Sequence, residues 1–252
     1  MKTKNKKEEL KEILERLNKG ERTEEVKKDA RDLLDNLSAK ELSEAEQELI
    51  NAGLPETELR HLCTAHIEMM EEELKALKTN VNPGHPLYTF IYEHDEILKI
   101  LDSLDELNEE IQKLDSYDEN NVVFNELKEI GSQLLETEKH HEREEDALFP
   151  EIDGKGVTGP TRIMRMEHED LWPHKERIAE LANNVENINF NKFKEELNEH
   201  VQHVVLTMRD HIFKENNILY PTAKEVIAED VWEDVKRKAD EIGYCSFSPE
   251  EI

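Results

Sequence analysis

The chain has few of the features that mark a secreted or membrane protein. Its two cysteines, Cys63 and Cys245, lie far apart in the sequence and do not suggest a disulfide framework. It has no run of 18 or more apolar residues, so we expect no membrane-spanning helix. The basic start at residues 1–7 leads into acidic residues rather than the apolar core of a signal peptide. These absences predict a cytoplasmic protein that makes no contact with membranes.

Basic residues are also scarce relative to acidic ones. The chain has 33 Lys and Arg against 61 Asp and Glu, and therefore a formal net charge of −28. Binding to nucleic acid or to an anionic lipid surface needs a basic face, so both partners are excluded. The sequence contains no glycine-rich nucleotide loop and no serine or cysteine triad, so we assign no catalytic residue.

Glycine and proline, with eight residues each, cluster at a few places, as in a mostly helical protein. Apolar residues at helical spacing predict four long helices and a last shorter one, at 86–114, 119–148, 160–183, 190–219 and 223–241. Long helices joined by short or moderate loops imply an all-α, antiparallel four-helix bundle. We predict an N-terminal helical domain at 1–80, the bundle at 85–221, and a C-terminal helix and tail at 222–252.

The pattern His-x-x-x-Glu-x-x-x-Leu-(Phe/Tyr)-Pro occurs in the second and fourth of the long helices. His140 and Glu144 form the first copy, and His211 and Glu215 form the second, 71 residues later. Residues four apart lie on one face of a helix, so each pair can reach one cation.

The first and third long helices match each other at an offset of 74 residues. The segment Glu93-His94 corresponds to Glu167-His168. In an antiparallel bundle, histidines near the starts of two helices lie level with the His-x-x-x-Glu pairs near the ends of the others. Six metal ligands are therefore predicted in one internal layer: His94, His140, Glu144, His168, His211 and Glu215.

Four imidazoles and two carboxylates suit two non-haem iron ions, with imidazoles on each metal and carboxylates bridging between them. A closed structural zinc site needs four ligands and usually includes thiolates, so zinc is less favoured. The ligand types leave manganese and zinc as alternatives to iron.

Four residues near this layer are secondary candidates, namely His85, His141, Glu145 and His203. His85 opens its helix, His141 points about 100° away from His140, and His203 precedes His211 by about two turns. The repeat replaces Glu145 with Asn, which disfavours it as a bridging ligand. For the three histidines, a surface or hydrogen-bonded core position is the more ordinary interpretation.

A separate group of potential ligands precedes the predicted bundle. Cys63 and His66 lie three residues apart, on one helical face, with His61 nearby. They could bind a metal or respond to redox state, but no third ligand is evident locally. Packing of this helix through its apolar neighbours is the simpler interpretation.

The two His-x-x-x-Glu-x-x-x-Leu-(Phe/Tyr)-Pro segments, with His94 and His168, resemble the hemerythrin-like (HHE cation-binding) family over about residues 85–221. The resemblance implies a four-helix bundle with a non-haem di-iron centre, in a family that binds oxygen, responds to nitric oxide or redox state, or senses iron. Marine oxygen carriers have a second histidine where this chain has Trp172, and an Asp five residues after the last histidine, where Glu215 here comes after four. These departures favour similarity to bacterial sensor and iron-centre repair members over oxygen carriage.

The first 80 residues resemble an uncharacterised helical domain often found ahead of HHE domains in bacteria and archaea. Residues 45–50, 53–55 and the segment Leu62-Cys63-x-x-His66 carry this resemblance, and the tail at 241–245 is similar to the end of the same proteins. The resemblance implies no activity for this region, which we expect to contact a protein partner or a second copy of the chain.

The sequence therefore predicts a di-iron protein that binds or reacts with oxygen, nitric oxide or peroxide in gas or redox sensing or in a stress response. The alternatives are iron storage or delivery, and a metal-dependent interaction module without catalysis. The ligand pattern alone does not assign an enzymatic activity.

Overall fold

The computed structural model describes residues 81–250, and the regular elements in this part of the chain are all helical. The α-helices are α1 Pro86–Gln112, α2 Val122–Glu136, α3 Glu138–Arg143, α4 Phe149–Asp153, α5 Gly159–Asn184, α6 Phe190–Lys214, α7 Tyr220–Val226 and α8 Trp232–Ile242. The all-α prediction is confirmed. Between residues 81 and 250, no helix has the length and apolar character needed to cross a bilayer. The predicted N-terminal helices, with His61, Cys63 and His66, lie outside the described residues.

Two of the predicted helices are wrong in detail. The helix predicted at 119–148 begins at Val122 and is interrupted at Thr137, whose hydroxyl donates to the carbonyl of Leu134 at 2.6 Å. The helix predicted at 223–241 is two helices, α7 and α8. Ile227 between them is extended and buried, so burial of its side chain outweighs the local helical pattern.

The described residues form two compact units. The bundle unit contains 83–147, 164–212 and 234–250, and the second unit contains 148–163 and 213–233 together with 81–82. The second unit has its own buried apolar side chains, among them Phe149, Ile152 and Tyr220.

The core of the bundle unit is built from apolar residues three or four positions apart on α1, α2, α5 and α6. On α1, Ile97, Leu101 and Leu104 are buried at this spacing, and they pack with leucine, valine and isoleucine side chains of the other three helices. Burying one such side chain contributes about 1.5–3 kcal/mol, so this core holds the four helices at fixed positions around the layer of histidines.

Two π-helical turns interrupt the helices at corresponding points of the repeat. They span Glu144–Leu148 and Glu215–Leu219, so each begins at the glutamate of a His-x-x-x-Glu pair. Pro150 and Pro221 follow the turns, and a proline has no N–H to donate and collides with the carbonyl four residues before it. This explains the wider turns, which occur frequently at functional sites in other proteins.

Helices α2 and α5 approach closely at Gly131. A Cβ atom on this glycine would lie 3.1 Å from the Cα of Ala179, closer than most Cβ contacts in proteins. Glycine at this position therefore sets the distance between α2 and α5, which brings α3 and α5 into the same layer.

Replacing Gly131 with Val should lower the free energy of unfolding by about 1–3 kcal/mol, because the larger side chain must push α5 away. Ser132→Val places the same side chain at an exposed position of the same helix and is the control. Urea denaturation of both variants measures the effect. Equal stabilities would contradict the close approach.

Candidate metal centre

Buried histidines from four helical segments of the bundle unit converge on one layer. His94 lies on α1, His140 and His141 on α3, and His168 on α5, and each is at most 4% exposed. His211 on α6 is fully buried. Such burial needs compensating partners, because uncompensated polar groups in an apolar interior are costly.

One group of potential ligands consists of His94, His140 and Glu144, whose ligand atoms lie within 4.8 Å of one another. The Nε2 atom of His140 is 3.6 Å from the Oε2 atom of Glu144, which begins the first π turn. The ring of His94 lies beside that of His140, with 4.7 Å between the ring centroids.

A second group consists of Glu144, His168 and His211, whose ligand atoms also lie within 4.8 Å of one another. The Nε2 atoms of the two histidines are 3.0 Å apart, and Nε2 of His168 is 3.6 Å from Oε2 of Glu144. The same carboxylate oxygen therefore lies 3.6 Å from an imidazole of each group.

His141 also belongs to this layer. Its ring stacks on that of His168 at 3.9 Å between centroids, and its nitrogen lies within 4.8 Å of those of His168 and His211. Consecutive residues on a helix point about 100° apart. His140 therefore faces α1 while the secondary candidate His141 faces α5 and α6, and both lie in the layer.

Carboxylates hold three of the rings by their other nitrogen. The Nδ1 atoms of His140, His168 and His211 lie 2.7, 2.6 and 3.0 Å from Glu93, Glu145 and Glu167 respectively. An ionised carboxylate accepts only, so each Nδ1 carries the proton and each Nε2 is left as the ligand atom.

The roles of Glu93 and Glu167 were missed from the sequence. Each directly precedes a matched histidine, at the same position in both halves of the repeat. That match is the signal by which they could have been found. Glu145, a secondary candidate, lies beside the histidines as a hydrogen-bond acceptor.

Two of the buried imidazoles, those of His140 and His141, are neutral near pH 7. Burial lowers the pKa of His140 from 6.5 to about 4, although the carboxylate of Glu93 acts in the opposite direction. Burial, then the neighbouring His168 and Lys175, hold the pKa of His141 well below its usual value. A neutral imidazole is the form that binds metal ions.

Two other secondary candidates have partners of their own. His85 is the N-cap of α1, and its Nδ1 accepts a hydrogen bond from the backbone N–H of Leu87 at 3.1 Å. His203 is hydrogen-bonded to Asp170 at 3.0 Å and stacks on His174.

Glu215 is buried in the second unit, at the first position of the second π turn. Its role as a ligand stays a prediction.

Comparison with family models gives two matches. Residues 85–223 match the hemerythrin HHE cation binding domain, and residues 10–76 match a family of unknown function, DUF438. The chain belongs to the hemerythrin HHE cation-binding family. Both resemblances predicted from the sequence are confirmed, as is the helical bundle. No curated protein matches the chain significantly.

The residues present fit a metal cation, as the family implies. Neutral imidazole nitrogens and carboxylate oxygens converge within 4.8 Å, a donor set suited to divalent first-row metals. The family match and this cluster together indicate metal binding.

The metal-free protein should lose stability as the pH falls from 7 to 5. The pKa of His140 is lower in the folded protein than in the unfolded chain. Between about pH 6.5 and 4 the unfolded chain therefore binds more protons than the folded protein does. Stability decreases as the pH is lowered through that window. His140 alone should contribute a loss of about 2 kcal/mol. Urea denaturation at both pH values, with His140→Gln as the non-titrating control, measures it. An equal loss in the variant would contradict the assignment.

Proposed function

We propose that the buried layer binds two iron ions. One ion would take His94, His140 and Glu144, and the other would take His168, His211 and Glu144. The observation that supports this most directly is the position of Glu144, whose Oε2 lies 3.6 Å from an imidazole nitrogen of each group. A carboxylate between two sets of imidazoles is the arrangement expected of a bridging ligand.

Two further residues would complete the ligand set. Glu215 corresponds to Glu144 in the repeat and follows His211 by four residues, so we propose it as the second bridging carboxylate. His141 is proposed as an additional ligand of the ion bound by His168 and His211, since its nitrogen lies within 4.8 Å of theirs. Iron is preferred because imidazole and carboxylate suit it and the family commonly binds it; manganese and zinc are the alternatives.

We propose that the protein binds or reacts with oxygen, nitric oxide or peroxide, in gas or redox sensing or a stress response. Bound iron would supply a redox couple and a coordination position for such a small molecule. Apolar side chains around the layer of histidines would keep water away from the bound iron. Phe90, 1% exposed, lies against the edge of His140 at 5.2 Å between ring centroids.

Iron storage or delivery is the second candidate function. The depth of the layer disfavours it, because ligands that are at most 4% exposed exchange iron with an acceptor slowly. A gas or peroxide molecule is small enough to reach a buried site through local opening of the bundle.

Iron loading under anaerobic conditions should give about two iron ions per chain. Replacing both His140 and His211 with Ala should reduce the count below one, because each ion loses an imidazole. The matched control is His200→Ala, which removes a half-buried histidine bonded to His174 instead of to the layer. Metal analysis after desalting gives the count. Retention of two ions in the double variant would contradict the proposed site.

Mixing the iron-loaded protein with oxygen or nitric oxide should form one adduct per site, as expected of a sensor or binding protein. The absorption spectrum should change once and then stay constant. Absorption spectra recorded with time, together with an iron chelator in solution, follow the adduct and any released iron. Repeated turnover would indicate an enzyme, and rapid transfer of iron to the chelator would favour storage or delivery.

A further inference from the structure

The tail that follows α8 returns to the bundle where α2 ends and α3 begins. Gly243 ends α8 with a φ of +95°, a conformation that favours glycine, and its N–H donates to the carbonyl of Ala239 at 3.0 Å. Two residues later, Cys245 is buried, and its Sγ donates to the carbonyl of Glu136 at 3.3 Å. The backbone N–H of Ser246 donates to the carboxylate of Glu136 at 2.9 Å.

The tail covers a buried arginine that lies next to the layer of histidines. Arg143 is 1% exposed, and its Nη2 donates to the two carboxylate oxygens of Glu93 at 2.7 and 2.5 Å. The ring of Tyr244 lies against its guanidinium at 4.6 Å, and the sulfur of Cys245 is 3.9 Å from Nη2. A buried guanidinium without such partners would be costly, so the tail stabilises Arg143 beside Glu93.

Glu93 thereby connects the tail to a proposed metal ligand. Its carboxylate accepts hydrogen bonds from His140, from Arg143 and from the hydroxyl of Ser248 in the tail. Burial alone would raise the pKa of Glu93, but the hydrogen bonds and charges of His140 and Arg143 outweigh it and lower the pKa. Glu93 is therefore ionised, and its negative charge is shared among three donors.

We propose that Ser248 is a positioning residue for the metal centre, acting through Glu93 on His140. This inference rests on the proposed function and extends it beyond the region matched by the family model, which ends at residue 223. Tyr244 and Cys245 support the same contact, because they cover the arginine that shares the carboxylate with Ser248.

Ser248 should affect His140 through the strength of the hydrogen bond between Glu93 and His140. Each donor to the carboxylate withdraws negative charge, so removing the hydroxyl of Ser248 should make Glu93 a stronger acceptor for the Nδ1 proton of His140. A stronger acceptor raises the basicity of the opposite nitrogen, Nε2, which is the proposed ligand atom. His211 is held by a different carboxylate, Glu167, and should respond less.

The first test uses the metal-free full-length chain, with ¹⁵N-labelled histidine followed by NMR. In Ser248→Ala, the Nδ1 proton of His140 should move downfield, whereas Ser248→Thr keeps a hydroxyl and should restore its position. Ser246→Ala is the control, because it removes a hydroxyl from the same tail whose partner is Glu136 and not Glu93. An unshifted His140 resonance in Ser248→Ala, or an equal shift in Ser246→Ala, would overturn the inference.

The second test uses the chain loaded with ⁵⁷Fe and Mössbauer spectroscopy. In Ser248→Ala, one of the two iron signals should shift while the other stays close to its wild-type position. Glu93→Gln should shift the same signal by more and in the opposite direction, because it removes the negative charge that holds His140, and should weaken that iron by roughly 10–100-fold, as measured by release to a chelator. Equal shifts of both signals in Ser248→Ala would indicate general loosening and would contradict the inference.

The two tests separate the inference from the function on which it rests. If the wild-type chain binds no iron pair but Ser248→Ala still moves the His140 resonance, the proposed function fails and the coupling of the tail to His140 stands. If two ions bind and neither test distinguishes Ser248→Ala from Ser246→Ala, the inference fails and the proposed function stands.

Discussion

The central constraint is the burial of five histidines inside an apolar bundle, three of them fixed by a carboxylate. Glu93 and Glu167 bind the Nδ1 atoms of His140 and His211, so the rings cannot turn freely and their Nε2 atoms remain in the interior. A hydrogen bond to a charged group of this kind contributes about 1.5–3 kcal/mol, a sizeable part of the stability of one domain. The fold therefore maintains a layer whose chemistry suits a cation better than an apolar core.

The fold followed from the sequence where periodicity was long and uninterrupted. Helices α1 and α5 lie within two residues of the predicted 86–114 and 160–183, because their apolar spacing continues over many turns. The positions at which helices are interrupted depend on tertiary contacts instead. Thr137 interrupts a helix where Lys175 of α5 donates to its hydroxyl at 2.9 Å, and no local sequence pattern indicates this contact.

The candidate site was predictable to the extent that it is repeated. The matched histidines and Glu144 are predictable because the second half of the bundle copies the first, and the π turns at Glu144 and Glu215 repeat in the same way. His141 was harder to place, since adjacent histidines on a helix normally face different surroundings. Here both side chains point into the bundle, His140 toward α1 and His141 toward α5 and α6. The link from Ser248 to Glu93 spans 155 residues, and nothing in the local pattern predicts it.

The position of metal in the iron-loaded protein is the most direct test of the proposed site. A crystal grown anaerobically with iron, with diffraction recorded on both sides of the iron absorption edge, should show two anomalous peaks about 3.5–4 Å apart. One peak should lie at bonding distance from Nε2 of His140 and the other at bonding distance from Nε2 of His211, with the carboxylate of Glu144 between them. A single peak, or iron bound away from this layer, would contradict the central claim.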